Sequence, residues 1–288
     1  MPQLPCYFAT TMAARGSFTD KIVLVTGAGS GIGRATALAF RDAGARLVVC
    51  DVQEARVQDV ARELGAACVL SRQVDVAKRD QMKDFADAVH DRFGAVDILV
   101  NNAGVGLSAT FLDTSLEDWD WIVSINMWGV IHGCHYFLPK MVERGQGGHV
   151  VNVASILGLV GLGGTNAYCT TKFAVVGMSE SLRAELAPHR IGVTAICPGI
   201  IKTDIIRAGR FRTKDANPDQ RRDAVDARYR QRNFPPEGVA KAILDAVRHD
   251  RDVVPVAPEA WSLYYMKRFA PRVGAGVSAL LARVSGNG

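Results

Sequence analysis

From Lys21 onward the sequence alternates short runs of β-branched and aliphatic residues with longer amphipathic stretches, a rhythm that few architectures accept. The short runs are Ile22–Thr26, Leu47–Cys50, Cys68–Val74, Val96–Val100, His149–Val153, Val193–Cys197 and Val253–Val256. Nearly all are apolar throughout instead of alternating, as expected of strands covered on both faces. Between them lie stretches of helical length and patterning, such as Gln53–Leu64, Arg79–Phe93 and Leu116–Arg144. Strands separated by helices build right-handed βαβ units. The expected fold is α/β: a doubly wound, seven-stranded parallel sheet flanked by helices, in one domain over residues 21–256. Residues 1–20 read as an N-terminal extension and residues 257–288 as a C-terminal tail.

Two regions break the rhythm. Residues 204–234 are rich in arginine and polar residues, with a weak apolar pattern, and read as an inserted, mobile segment ahead of the helix introduced by Pro235 and Pro236. The tail carries Trp261, Tyr264, Tyr265 and Phe269 and has no acid after Glu259. Phe269 follows Tyr265, and Val284 follows Leu280, at the four-residue spacing of an apolar helix face. Pro271 and Gly274 interrupt it.

Bulk properties exclude several classes. With 48% hydrophobic and 22% charged residues the chain is ordinary globular material and not a disordered one. Its net charge of +5 is spread along the chain, so nucleic-acid binding is not expected. The six cysteines are scattered without metal-ligand spacing, as are His132, His135 and His149, and no metal is expected. Cys50 and Cys197 lie in apolar runs and read as small hydrophobes. Neither a signal peptide nor an uncharged apolar stretch of about 18 residues is seen, so the expectation is a cytoplasmic protein without an integral membrane segment.

The first run leads directly into Thr26-Gly27-Ala28-Gly29-Ser30-Gly31-Ile32-Gly33, which opens the helical stretch Ile32–Ala43. Glycines allow a tight turn and a close backbone approach to a pyrophosphate, and the free N–H groups of a helix start hold its charge. Asp51 closes the second run, 18 residues beyond Gly33. An acid there accepts from the hydroxyls of an adenosine ribose and repels a 2′-phosphate, which points to NAD over NADP. Arg34, just after the turn, reads as a solvated helix residue.

Tyr168 and Lys172 are four apart, on one helix face, so the ammonium can lie near the phenol. A phenol has a pKa near ~10; a neighbouring cation favours the phenolate and suits it to proton transfer near neutrality. Ser155 closes the fifth run, 13 residues before Tyr168, where α/β sheets place ligands, and its hydroxyl can donate to a substrate oxygen. Alone, each has a plainer role: Tyr168 in the core, Ser155 in the turn before the glycine-rich stretch 158–164, and Asn126 as a buried amide bonded to backbone.

The spacing TGxxxGxG, with the residues above in order, resembles the common branch, of about 250 residues, of the short-chain dehydrogenase/reductase family, over Lys21 to about Val256. The resemblance implies a Rossmann-type sheet and hydride transfer between a nicotinamide cofactor and an alcohol or ketone. It implies that Gly27, Ser30, Gly31, Ile32 and Gly33 hold the pyrophosphate and that Asp75 and Val76 meet the adenine. Asn102, Ala103 and Gly104 would lie along the cofactor, and Pro198, Gly199, Ile201 and Thr203 would hold the carboxamide. Tyr168 would be the general acid/base, with Lys172 lowering its pKa and bonding the nicotinamide ribose. Ser155 would orient the substrate oxygen, and Asn126 would hold a water in the proton relay. The family is usually dimeric or tetrameric, which implies a homodimer or homotetramer through Leu116–Arg144 and Ala167–Pro188. The stretch Pro255–Ala260 resembles an actinobacterial group of the family, some of whose members are fused to epoxide hydrolases.

Three other classes compete. A cofactor-binding sensor without turnover typically lacks the Tyr/Lys pair. An epimerase or dehydratase of the family's longer branch uses a TGxxGxxG turn and a larger substrate domain. A structural or membrane-docking protein would rest on the aromatic tail alone. The substrate expected is an apolar secondary alcohol or ketone, because Ile156, Leu157, Leu159, Val160 and Leu162 surround Ser155 without a charged group. Residues 204–234 and the tail would cover it, with apolar Ile205 and Ile206 inward and the arginines in water.

Overall fold

The structure is a computed structural model and describes residues 17–212, 217–232 and 234–270. In chain order its elements are β1 (Ile22–Thr26), α1 (Gly31–Asp42), β2 (Arg46–Asp51), α2 (Glu54–Leu64), β3 (Cys68–Gln73), α3 (Arg79–Phe93), β4 (Ile98–Asn101), β5 (Leu107–Ser108), α4 (Leu116–Val123) and α5 (Gly129–Arg144). There follow β6 (Gly148–Val153), α6 (Asn166–Leu186), β7 (Ile191–Pro198), α7 (Ile205–Ala208), β8 (Arg210–Phe211), α8 (Pro218–Arg232), α9 (Pro236–Arg248), β9 (Val253–Val256) and α10 (Pro258–Phe269). Seven strands form one parallel sheet in the order β3-β2-β1-β4-β6-β7-β9. The order reverses between β1 and β4, which opens a crevice beyond their carboxyl ends. This is the doubly wound Rossmann-type sheet expected.

The reason the strands read as apolar throughout is visible in β1. Ile22 and Leu24 pack on one face with Phe85 of α3, Phe137 of α5 and Val175 of α6. Val23 and Val25 pack on the other with Phe40 of α1, Val57 of α2 and Ile243 of α9. The side-chain period of two persists, but helices cover both phases. Phe40, Phe85 and Phe137 are fully buried, and truncating any of them to alanine would cost about 3–5 kcal/mol. A buried polar chain fixes α6 on the sheet: Asn101 donates to Asn152 at 2.9 Å, and Asn152 donates to Ser179 Oγ at 2.9 Å.

Several expectations need correction. β3 is an edge strand ending at Gln73; Ser71, Arg72 and Gln73 are exposed, and Asp75 and Val76 lie in the following loop. Ser155 lies two residues beyond the end of β6. The stretch 116–144 is continuously helical but contains a π turn at Ser124–Trp128. Residue 18 of the supposed extension belongs to the core, since Phe18 is buried edge-on against Phe40. Residues 1–16 (with Cys6) and 271–288 (with Pro271, Gly274, Leu280 and Val284) lie outside the described residues.

The arginine-rich segment is built as α7, β8 and α8, and β8 pairs in parallel with β5. Its arginines do not all stay in water. Arg210 and Arg212 donate to Asp118 at 2.8–3.0 Å, and the Arg210 guanidinium lies 4.1 Å from the centroid of the Trp121 ring. The Asp118 side chain is 2% exposed, and its carboxyl is held down at about 2, chiefly by the Arg212 hydrogen bond. The tail likewise begins as a packed helix, with Ala260 fully buried and Trp261, Tyr265 and Phe269 stacked along its outer side. Among the described residues no helix is long and apolar enough to cross a membrane.

Candidate active site

The turn from β1 to α1 lies at the crevice. Gly27 has φ 62°, and a Cβ on Gly33 would sit 2.1 Å from the Gly27 carbonyl oxygen and 2.4 Å from Asn102 Nδ2. Only glycine lets α1 start this close to β1. Ser30 occupies the N-cap position without a capping side-chain bond, so the first-turn N–H groups around Gly31, Ile32 and Gly33 remain for an anion. Asn102 Nδ2 donates to the carbonyls of Thr26 and Gly27 at 2.9 and 3.1 Å. Thr26 Oγ1 in turn accepts from the N–H groups of Asn102 and Ala103 at 3.0 and 3.1 Å. These bonds hold the segment after β4 beside the turn.

Asp51 stands at the rim of this turn, with its carboxylate accepting from the N–H groups of Gly29 and Gln53 at 2.9 and 3.0 Å. A Cβ on Gly29 would lie 2.7 Å from both Asp51 Oδ2 and Arg56 Cβ. Beyond β3, Asp75 lines a hollow with Val52, Arg72 and Gln73, whereas Val76 is buried and its carbonyl lies 2.9 Å from His132 Nδ1. On the opposite side Thr203 lies over the turn: a Cβ on Gly31 would sit 3.2 Å from Thr203 Cγ2. Gly199 bonds to the end of β9, and Ile201 is buried. The cofactor candidates therefore stand at the carboxyl ends of β1, β2, β4 and β7 and in the loop after β3.

Lys172 is 4% exposed, and burial lowers its ammonium to about 8. Its Nζ donates to the Val153 carbonyl at 3.0 Å and lies 5.7 Å from the centroid of the Tyr168 ring. Tyr168 is half-buried and packs with the cluster of Val105, Leu107 and Ile122. Ser155 is buried, and its Oγ accepts from the Leu157 N–H at 3.1 Å, which leaves the hydroxyl hydrogen free to donate elsewhere. Asn126 is fully buried within the π turn, a widened turn common at functional sites. It accepts from the Val105 N–H at 2.8 Å and donates to the Val105 carbonyl at 2.9 Å and to Thr171 Oγ1 at 3.3 Å. A Cβ on Gly104 would lie 3.2 Å from Asn126 Oδ1 and 3.5 Å from Lys172 Nζ. Asn126, Lys172 and the end of the Asn101–Gly104 segment thus meet at one point.

Sequence reasoning missed four residues that hold the surrounding segments in place. Thr26 and Thr171 orient backbone and amide groups of the site, and each stands next to a residue the spacing singled out. Asp118 and Glu259 act across the fold, and no local pattern marks them. Of the residues read as uninvolved, His132 and His149 are buried in packing roles, and Arg34 pairs with Glu63 at the surface. Among the described residues, no group of three or more His, Cys, Asp or Glu could hold a metal ion.

A parallel sheet of this order with a glycine turn at its switch point defines a dinucleotide-binding enzyme architecture. The family model for short chain dehydrogenases matches residues 21–212, and the chain belongs to the short-chain dehydrogenase/reductase family. "Probable oxidoreductase EphD" of Mycobacterium tuberculosis is 43% identical over 263 residues, covering 90% of this chain but 44% of that protein. The chain thus spans under half the length of that relative. SadH of the same organism is 37% identical over 257 residues, 88% of this chain and 91% of that protein. A short-chain dehydrogenase/reductase from Burkholderia phymatum, solved in complex with NAD, is 29% identical with a TM-score of 0.80, covering 90% of this chain and 96% of that one.

Proposed function

We propose that the protein is an NAD-dependent oxidoreductase that interconverts an apolar secondary alcohol and its ketone at this site. The observation that carries the reading is Lys172, a buried cation lowered to about 8, one helical turn from Tyr168 at the ends of β4 and β6. Bound NAD supplies the hydride acceptor, or NADH the donor. Gly27 and Ser30 of the turn, with the first-turn N–H groups of Gly31, Ile32 and Gly33, hold its pyrophosphate, and Asp51 accepts from the adenosine ribose. Asp75 and Val76 border the adenine, Asn102, Ala103 and Gly104 flank the path between, and Pro198, Gly199, Ile201 and Thr203 border the carboxamide. Tyr168 takes the alcohol proton on oxidation and returns it to the carbonyl oxygen on reduction. Lys172 favours the phenolate electrostatically and bonds the nicotinamide ribose. Ser155 donates its free hydroxyl hydrogen to the substrate oxygen. Asn126 supports the relay to solvent from its place between Val105 and Lys172.

Asp51 supports NAD over NADP, because a 2′-phosphate would meet its carboxylate. The relative solved with NAD supports the cofactor class. Ile156 and Val160, buried beyond β6, support an apolar substrate. So does the position of α7, whose Ile205 Cγ1 lies 3.8 Å from where a Cβ on Gly106 would sit. Assembly as a homodimer or homotetramer draws support from Trp128 and Phe173, exposed on the long helices.

The test follows NADH absorbance with a panel of secondary alcohols and ketones. Apolar members should turn over, and Tyr168→Phe should abolish turnover while NADH still binds in titration. A Tyr168→Phe enzyme with near-normal kcat would refute the assignment.

A further inference from the structure

Where β7 ends at Pro198, the chain turns toward α1 along the loop assigned above to the carboxamide. The first two N–H groups of that loop are both held by the C-terminal end of the fold. Gly199 donates to the Val256 carbonyl at 2.9 Å, and Ile200 donates to Glu259 Oε1 at 3.0 Å. A Cβ on Gly199 would lie 2.6 Å from that same oxygen, so the Glu259 carboxylate fills the place a side chain would take. The loop then passes through buried Ile201 to Thr203, whose methyl lies against Gly31 of the phosphate turn.

Glu259 stands in the first turn of α10, where an acid suits the helix dipole. It reaches an N–H 59 residues away in the chain. Its placement is over-determined: Ala257 holds φ 87°, a region that L-residues rarely adopt, Pro258 opens α10, and Ala260 is fully buried. At the other end of α10, Lys267 donates to the Leu159 carbonyl and lies 4.5 Å from the Phe173 ring centroid, next to Lys172. The helix therefore ties the loop after β7 to the loop after β6.

We propose that Glu259 is a positioning residue for the nicotinamide half of the cofactor site, acting through the Ile200 N–H on residues 199–203. The proposal rests on the cofactor reading above. Its test is calorimetric titration of the full chain with NADH and with ADP-ribose, which lacks the nicotinamide. Glu259→Ala should weaken NADH about tenfold, the loss of one charge-assisted hydrogen bond, and leave ADP-ribose unchanged. Glu259→Gln keeps an oxygen that accepts from Ile200 and should restore NADH binding to within about threefold of the parent. If the alanine variant does not fold, Glu259→Asp withdraws the carboxylate by one methylene and should show the same NADH-selective loss. Parent-like NADH binding by the Ala and Asp variants, or equal losses for NADH and ADP-ribose, would overturn the proposal. A parent chain that binds neither ligand would sink the cofactor reading itself, and this proposal with it.

Discussion

Lys172→Met should make the protein more stable while disabling it. The folded state holds this ammonium at about 8 through burial, against ~10.4 for a free lysine. At about 1.4 kcal/mol per unit, the folded state disfavours the charged form by about 3 kcal/mol. Between about pH 8 and pH 10.5 the unfolded chain binds more protons at this site than the folded chain, so stability rises with pH across that window and the full penalty applies below it. Methionine keeps an unbranched side chain one atom shorter and removes the charge. It also loses the hydrogen bond to the Val153 carbonyl, worth about 1 kcal/mol. The net gain near pH 7 is about 2 kcal/mol, or roughly 4 °C in Tm for a chain of this size. The assay is thermal unfolding of both proteins without cofactor at pH 7 and at about pH 10.5, beside NADH titration and turnover. The variant should melt higher at pH 7, lose that advantage at the alkaline end, bind NADH more weakly and turn nothing over. A variant that melts below the parent at pH 7, or whose advantage does not shrink as pH rises, would refute the buried-charge reasoning.

Asp118→Asn should cost about 2 kcal/mol at neutral pH, since a carboxyl near 3.8 is held at about 2 by Arg212 and Arg210. A depressed carboxyl stabilises above its unfolded pKa and loses that contribution as pH falls toward 2. The deficit in urea unfolding should therefore narrow between pH 7 and about pH 3, and a constant deficit would exclude the ion-pair origin. The same variant should open trypsin sites at Arg210 and Arg212. For Asp51, the parent should prefer NADH to NADPH by about tenfold in titration, and Asp51→Ala should narrow that ratio. Equal binding of the two by the parent would remove Asp51 as the discriminator.

What was legible in the sequence, and what was not, follows from the range of the interactions. β1 and β9 begin and end at the predicted residues because a charged residue precedes each apolar run, Lys21 and Asp252, and Gly27 and Ala257-Pro258 follow them. The glycine turn and the Tyr168–Lys172 pair are local spacings, visible on one strand end or one helix. Asn126 was legible only through resemblance, because its side chain is aimed by a π turn that apolar periodicity does not register. β3 was legible over its whole length, the predicted run overshooting its end at Gln73 by one residue, but the exposure of its final residues at the sheet edge was not. Residues 204–234 read as irregular because their anchor is charge: Asp118 lies 92 and 94 residues from Arg210 and Arg212. Glu259 was invisible for the same reason, its partner being a backbone N–H in another loop.

The two kinds of support suit two tasks. Asn126, Tyr168 and Lys172 ride on helices fixed to the sheet by buried contacts, including the Asn101–Asn152–Ser179 chain and the Lys172 bond to β6. Proton transfer tolerates little misplacement, and rigid elements supply that accuracy. The proposed substrate cover is assembled from the loops after β4, β6 and β7, joined by the β5–β8 pairing, the Asp118–arginine pairs and the Lys267 bond to Leu159. The arginines of these ties are partly exposed while Asp118 is buried, so the cover is held by polar bonds that reach into the fold, in contrast to the apolar packing that seats the helices.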